Sequence, residues 1–349
     1  MNGQQRLTFL KLLLFATVFA WLYPPRVTAA EVAKPTVDMS VYRHVVHTGW
    51  VVSELDRVVN YWQKLGLKNV QRTGVLEFPD TICHGKKTPL SLKMAFAQIG
   101  DARIEWIQPV TGLSVYNDFL RQHGDGVQHL AYAVVSPEQL QEQIRYFKRK
   151  GAEVVQSGSW QGTKGKGQFA YVGVVPAGLA FELVYDPDAP PASSAESSAN
   201  EYPFNRIVQY ALVVRDVEKT GAYYQNLGFG GMPFDRNISV DRVYRGKPGK
   251  FEMYLGWWHW PDVTFEWIQP LVGPSVYDEY LKAHGEGLHH LAFEVKDMDE
   301  AVRLLEAKGA PPSQTGGWDS PGSKGRFAYL DTEPYGGVTI ELLWNAPAK

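Results

Sequence analysis

Apolar residues recur along this chain in two rhythms that alternate. Short runs with strand-like spacing lead into longer stretches with helical spacing, and the pair occurs four times. RHVVHTGWVV (43–52) precedes SELDRVVNYWQKLGL (53–67), where Leu55, Val58, Val59 and Trp62 share one helical face and Gly66 ends it. GVQHLAYAVV (126–135) precedes SPEQLQEQIRYFKRKGAEV (136–154). There Ser136 suits the N-cap, Pro137 the first helical position and Gly151 the C-terminal stop. RIVQYALVV (206–214) and GLHHLAFEV (287–295) lead into DVEKTGAYYQNLGF and KDMDEAVRLLEAKGA in the same way. After each helix come further strand-like runs, such as KMAFAQI, RIEWIQP, FAYVGVV and AFELVYD.

The four units form two copies of a pair. Residues 104–134 align with 265–295 without a gap, 17 of 31 positions being identical, at a spacing of 161 residues. The spacing is that of one ordinary domain, so two are expected, over 41–187 and 205–345. Between them, 188–204 is rich in Pro, Ala and Ser and reads as a linker. A lone unit of one strand, one helix and several strands leaves a concave sheet that cannot bury its apolar face. Two units side by side make a half-open barrel, with polar residues at strand ends converging inside. The expected class is α+β, in tandem paired βαβββ modules.

The first 30 residues read as a signal peptide. Arg6 and Lys11 give a basic start, and an apolar run of 12 residues from Leu12 to Tyr23 follows. That run is shorter than the roughly 20 residues of a spanning helix. Thr28, Ala29 and Ala30 suit a cleavage site, and 31–40 reads as a lead-in. The expected address is secreted or periplasmic, with no membrane contact after cleavage. A net charge of -2 without a long basic run gives no support to a nucleic-acid partner. The lone Cys83 excludes an internal disulfide and reads as a small hydrophobe.

This order of modules, with HTGWVVSELD at 47–56, GVQHLAYAV at 126–134 and GLHHLAFEV at 287–295, resembles the vicinal oxygen chelate superfamily. That group includes glyoxalase I, methylmalonyl-CoA epimerase, extradiol dioxygenases and bleomycin-resistance proteins. The resemblance covers nearly all of the chain after residue 30. It implies metal ligands on the first and last strands of each module. Carried over, these are His47, Glu105, His129 and Glu182 in the first copy, and Gln209, Glu266, His290 and Glu341 in the second. Taken singly, each is an ordinary strand residue. As a set they make a mixed N/O cage for a divalent ion such as Zn, Ni, Co, Mn or Fe.

The implied chemistry is proton transfer next to a carbonyl through an enediolate, of glyoxalase, epimerase or isomerase type. The small-molecule substrate is an α-oxygenated carbonyl compound, and Glu182 and Glu341 are the catalytic bases. Two alternatives are an iron-dependent ring-cleaving dioxygenase, using His47, His129 and Glu182, and a binding protein of the bleomycin-resistance type. A site can use both modules of one domain or modules of two domains or subunits. The sequence leaves that pairing open, along with the choice between a monomer of two pseudo-dimeric domains and a homo-oligomer. Of the other motifs, the Gly-rich loops with Lys166 and Lys324 read either as anion cradles or as hairpins with a surface lysine, the latter favoured. His123 and His284 read as turn-shaping residues. The aromatic run LGWWHWPDV (255–263) reads as a pocket wall or as a strand packed at a domain interface.

Overall fold

Four βαβββ modules are present, two to each barrel. The computed structural model describes residues 37–174, 178–189, 199–237, 239–260, 263–320 and 322–347. The expected signal peptide and most of the lead-in lie outside the described residues, as does most of the linker. No helix among the described residues is long and apolar enough to cross a membrane.

The first module comprises β1 (His47–Val51), α1 (Leu55–Leu65), β2 (Gln71–Phe78), the hairpin β3 (Ile82–Cys83) and β4 (Lys86–Lys87), β5 (Leu90–Ile99) and β6 (Ala102–Thr111). After α2 (Val115–His123), the second comprises β7 (Gly126–Ala133), α3 (Pro137–Arg149), β8 (Val154–Gln161), β9 (Lys166–Val174) and β10 (Leu179–Tyr185). The third comprises β11 (Gln209–Val213), α4 (Val217–Asn226), β12 (Phe234–Asn237), β13 (Val240–Tyr244), β14 (Lys247–Pro248), β15 (Glu252–His259) and β16 (Thr264–Val272). After α5 (Val276–Ala283) come β17 (Gly287–Glu294), α6 (Met298–Ala307), β18 (Pro312–Ser320), β19 (Ser323–Leu330) and β20 (Thr339–Asn345).

Helix boundaries follow the local chemistry. α1 buries Leu55, Val58, Val59, Trp62 and Leu65, and Gly66 at φ 138° ends it. The Ser136 side chain accepts from the Gln139 amide, with Pro137 at the first turn of α3. The short helices α2 and α5 were not foreseen from the periodicity. Each opens on a serine cap, Ser114 and Ser275.

In the first barrel the strands run β2-β5-β6-β1-β7-β10-β9-β8. The first strand of each module therefore sits at the centre, β1 against β7 and β11 against β17. The β3–β4 hairpin crosses to pair with β8, and β13 pairs with β18 in the second barrel. Each barrel has its own apolar interior, Leu90, Leu92 and Phe169 in the first and Phe251, Met253 and Phe327 in the second. The helices and outer sheet faces of both barrels merge into one larger core.

The two barrels join through the strands that carry His129 and His290, Val127 of β7 pairing with Leu288 of β17. Tyr61 stacks on Tyr335 with ring centroids 3.7 Å apart, and Trp62 Nε1 donates to the Tyr335 carbonyl at 2.9 Å. Trp258, from the aromatic run, packs at this junction against Phe229 and Trp267, whereas Trp257 faces the interior of the second barrel. The C-terminal end of the 188–204 segment is not free chain. Phe204 is fully buried, between Trp62 and Phe293. Cys83 is a buried free thiol among apolar neighbours.

Candidate metal centres

The eight residues singled out in the sequence gather into two clusters, each inside one barrel. Parallel pairing of β1 with β6 sets Gly49 opposite Glu105, and antiparallel pairing with β7 sets Gly49 opposite His129. β10, beside β7, adds Glu182. His47 Nε2 lies 2.7 Å from Glu182 Oε2 and 3.0 Å from Glu105 Oε2, and His129 Nε2 lies 3.2 Å from Glu182 Oε2. All four side chains are buried or nearly so, His129 completely. Pairing of modules across the two barrels is thus not how the clusters form.

The chemistry of the first cluster fits a cation. His129 Nδ1 lies 2.7 Å from Gln128 Oε1, which only accepts, so Nδ1 carries a hydrogen. In the singly protonated ring the Nε2 lone pair then faces the Glu182 carboxylate, with no donor bonded to it. Two electron-rich atoms at that distance call for a positive charge between them, and the Gln128 contact is the outer-shell support that ligating histidines use. His47, Glu105 and His129 offer donor atoms all within 4.8 Å of one another. Burial disfavours a charged Glu182, but positive charge beside it, on His47 foremost, more than offsets this and holds its carboxyl well below the usual carboxylate range, and a bound cation would act in the same sense.

The second cluster has the same plan and different internal bonding. Gln209 Nε2 donates to Glu266 Oε2 at 2.8 Å and Glu341 Oε2 at 3.3 Å, and lies 3.4 Å from His290 Nε2. His290 Nε2 is 3.1 Å from Glu341 Oε2 and 3.6 Å from Glu266 Oε2. His289 Nδ1 takes the outer-shell place of Gln128, 2.8 Å from His290 Nδ1. Burial, then the neighbouring Glu341, pushes the Glu266 carboxyl well above its ordinary value.

A feature missed in the sequence separates the two. A Cβ on Gly49 would lie 1.8 Å from Cε1 of His129, so the imidazole rests directly on the glycine backbone. The register equivalent in the second barrel is Ala211, opposite His290 on β17. A methyl group occupies that space, so the two histidines cannot lie alike. Comparing HTG at 47–49 with QYA at 209–211 would have found it.

The first cluster opens onto a cavity of about 1350 Å³ inside its barrel. Leu90, Leu92, Met94 and Phe169 line its apolar wall, and Tyr116 and Gln156 also face it. In the first Gly-rich loop Asp188 takes the backbone N–H groups of Thr163 and Lys164 at 2.6 and 2.7 Å, and in the second Lys324 pairs with Asp319.

Comparison with known proteins agrees with this architecture. The signature of the Glyoxalase/Bleomycin resistance protein/Dioxygenase superfamily matches residues 46–171 and again 208–329. The chain belongs to this superfamily and carries its domain twice. Among solved structures it is similar to a variant of 4-hydroxymandelate synthase from Streptomyces coelicolor, at 16% identity and a TM-score of 0.59, covering 87% of this chain and 93% of that one. A fusion of a xylose isomerase-like TIM barrel with 4-hydroxyphenylpyruvate dioxygenase is similar at 14% identity and a TM-score of 0.51, covering 88% of this chain and 50% of that one. A Mn(II)-bound glyoxalase from Novosphingobium aromaticivorans matches at 14% identity and a TM-score of 0.46, covering 86% of this chain and 82% of that one. At these identities the likeness is one of fold. No curated protein sequence matches the chain.

Proposed function

We propose that this protein is an exported, metal-dependent enzyme that transfers a proton next to a carbonyl in a small α-oxygenated compound, with the first barrel as its principal site. The observation that carries this reading is the set of four donors, rather than three, at the first cluster: Glu105 stands 3.0 Å from His47 in addition to Glu182. A divalent ion held by His47, Glu105, His129 and Glu182 would supply charge stabilisation at two neighbouring substrate oxygens. The protein's own groups do the rest. Glu182, kept ionised by the positive charge beside it, takes the proton from carbon through a carboxylate oxygen and returns it. The apolar wall of Leu90, Leu92, Met94 and Phe169 receives the rest of the substrate. In the second barrel Glu341 is the corresponding base.

The test is solvent exchange. Protein loaded in turn with Zn, Ni, Co, Mn and Fe is incubated in D2O with a panel of α-hydroxy ketones and 2-oxo aldehydes. Deuterium at the α-carbon, absent with Glu182→Gln, is the expected result; no exchange with any metal across the panel overturns the reading. A ring-cleaving dioxygenase is the second reading, favoured by the contacts of both His47 and His129 with Glu182. Glu105 counts against it, because that carboxylate fills a position such a triad leaves open. Oxygen uptake with a catechol by the Fe(II)-loaded protein would establish it instead. Export rests on residues 1–30 and is checked by the N-terminal sequence of the mature protein.

A further inference from the structure

Arg103 sets a cation beside the first metal cluster, and the second cluster has none in that place. It lies on β6 two residues before Glu105, so the two side chains project from one face of the strand. Its direct partner in the parallel pairing is His47 on β1, roughly 4.8 Å away at the backbone. The Arg103 side chain is exposed, lines the cavity, and lays its guanidinium over the Phe96 ring at 5.0 Å from the centroid. Phe96 is the direct partner of Glu105 on β5 and lines the cavity too. Among the described residues no carboxylate forms an ion pair with Arg103. The guanidinium is therefore held by stacking, with its N–H groups left for another partner.

The second barrel shows that this charge is not part of the shared frame. Its register equivalents are Thr264, opposite Gln209, and Trp257, opposite Glu266. Thr264 Oγ1 lies 3.2 Å from His259 Nδ1, so a neutral contact stands where Arg103 would be. A positive charge beside a cation site repels the ion, so Arg103 does not serve to hold the metal. Glu105 and Glu182 balance a divalent ion, and Arg103 then leaves a surplus positive charge on that face. The acids that share the cavity lining are placed elsewhere. Asp101 lies 3.7 Å from His44, and Asp80 accepts from Lys87 at 2.9 Å. Glu77 sits opposite Ser91, seven residues along β5 from the partner of Arg103 and thus roughly 23 Å away. Asp186 lies beyond the end of β10.

From this we infer that Arg103 binds a carboxylate of the substrate, in the two-point geometry that a guanidinium fork offers. The substrate class that follows is an α-oxygenated carbonyl compound that is also an acid. Its carboxylate stands a few atoms from the oxygens that meet the His47–Glu182 cluster. The inference rests on the first barrel being the working site, but it concerns binding and does not require turnover.

A pair of probes alike in shape and different in charge tests it: 5-hydroxy-4-oxopentanoate and its neutral amide, 5-hydroxy-4-oxopentanamide. Each is titrated into the full-length, Zn-loaded protein, with binding followed by calorimetry. The wild type is expected to bind the acid about tenfold more tightly, the worth of a charge-assisted contact. Arg103→Met and Arg103→Gln should each abolish that preference at an unchanged melting temperature and zinc content, because the side chain is exposed. Lys166→Met, which removes the other cation of the lining, should leave it intact. Equal affinity for acid and amide in the wild type, or no binding of either, overturns the inference. So does a preference that survives Arg103→Met, as it would if the carboxylate met only the zinc, or one lost as fully with Lys166→Met. Failure of α-proton exchange with the Arg103-dependent preference intact would instead remove the proposed reaction alone.

Discussion

His123 and His284 exchange hydrogen bonds across the junction of the two barrels. Each ring donates from Nδ1 to the other residue's carbonyl, both at 2.6 Å. The pair sits in the HGDG and HGEG turns, immediately before the strands that carry His129 and His290. His284 also places Nε2 2.5 Å from Glu333 Oε1.

That arrangement makes the junction pH-dependent. Burial works against a charged His284, but Glu333 and the His123 carbonyl outweigh it and raise its pKa. The resulting stabilisation is full below the unfolded-state value near 6.5 and is lost as pH rises through the higher folded-state value. Melting temperature should therefore fall between neutral and alkaline pH. Glu333→Gln should flatten that slope and cost about 1 kcal/mol at pH 6, read by calorimetry.

Removing the shared carboxylate of the first cluster should cost that site its ion. Glu182→Gln leaves His47 and His129 without their common partner, and metal binding in the first barrel should weaken by more than about 100-fold. Elemental analysis of the dialysed protein reads the loss directly. Glu341→Gln should leave the first barrel's metal in place.

The second cluster should gain affinity from one substitution. Gln209 fills its centre with amide hydrogen bonds to both carboxylates and lies beside His290. Gln209→His replaces that donor with a second imidazole. Metal stoichiometry after dialysis against a weak chelator should rise relative to the wild type.

Gly49→Ala should disable the first site without touching a ligand. The added methyl would overlap the His129 ring, which is fully buried and has little room to retreat. A loss of about 1–3 kcal/mol of stability is expected, together with loss of metal from that barrel. Calorimetry and metal analysis on the same sample check both.

Much of this was legible in the chain, for identifiable reasons. All eight cluster residues sit at strand positions that correspond between the copies, and the resemblance to the superfamily's ligand positions picks them out. What the sequence hid depends on partners distant along the chain. His123 and His284 read as local turn formers because their true partners lie 161 residues away. Gly49 looks like any strand glycine until the His129 ring is placed over it. Gln156 lies in a strand whose neighbours give no sign that its side chain holds the Val115 amide at the start of α2. The short helices α2 and α5 offer too few turns for periodicity to register.

The pairing of Val127 with Leu288 has a consequence for how the two sites can diverge. Joined this way, the barrels hold the positions that two identical subunits would hold about a twofold axis. A homodimer built on that seam would have to carry every substitution in both sites at once. A single chain is released from that symmetry. Residue 47 can be histidine while residue 209 is glutamine, and residue 49 can be glycine while residue 211 is alanine, within one preserved frame. Fusion lets the residues of one barrel drift while the other keeps its own set.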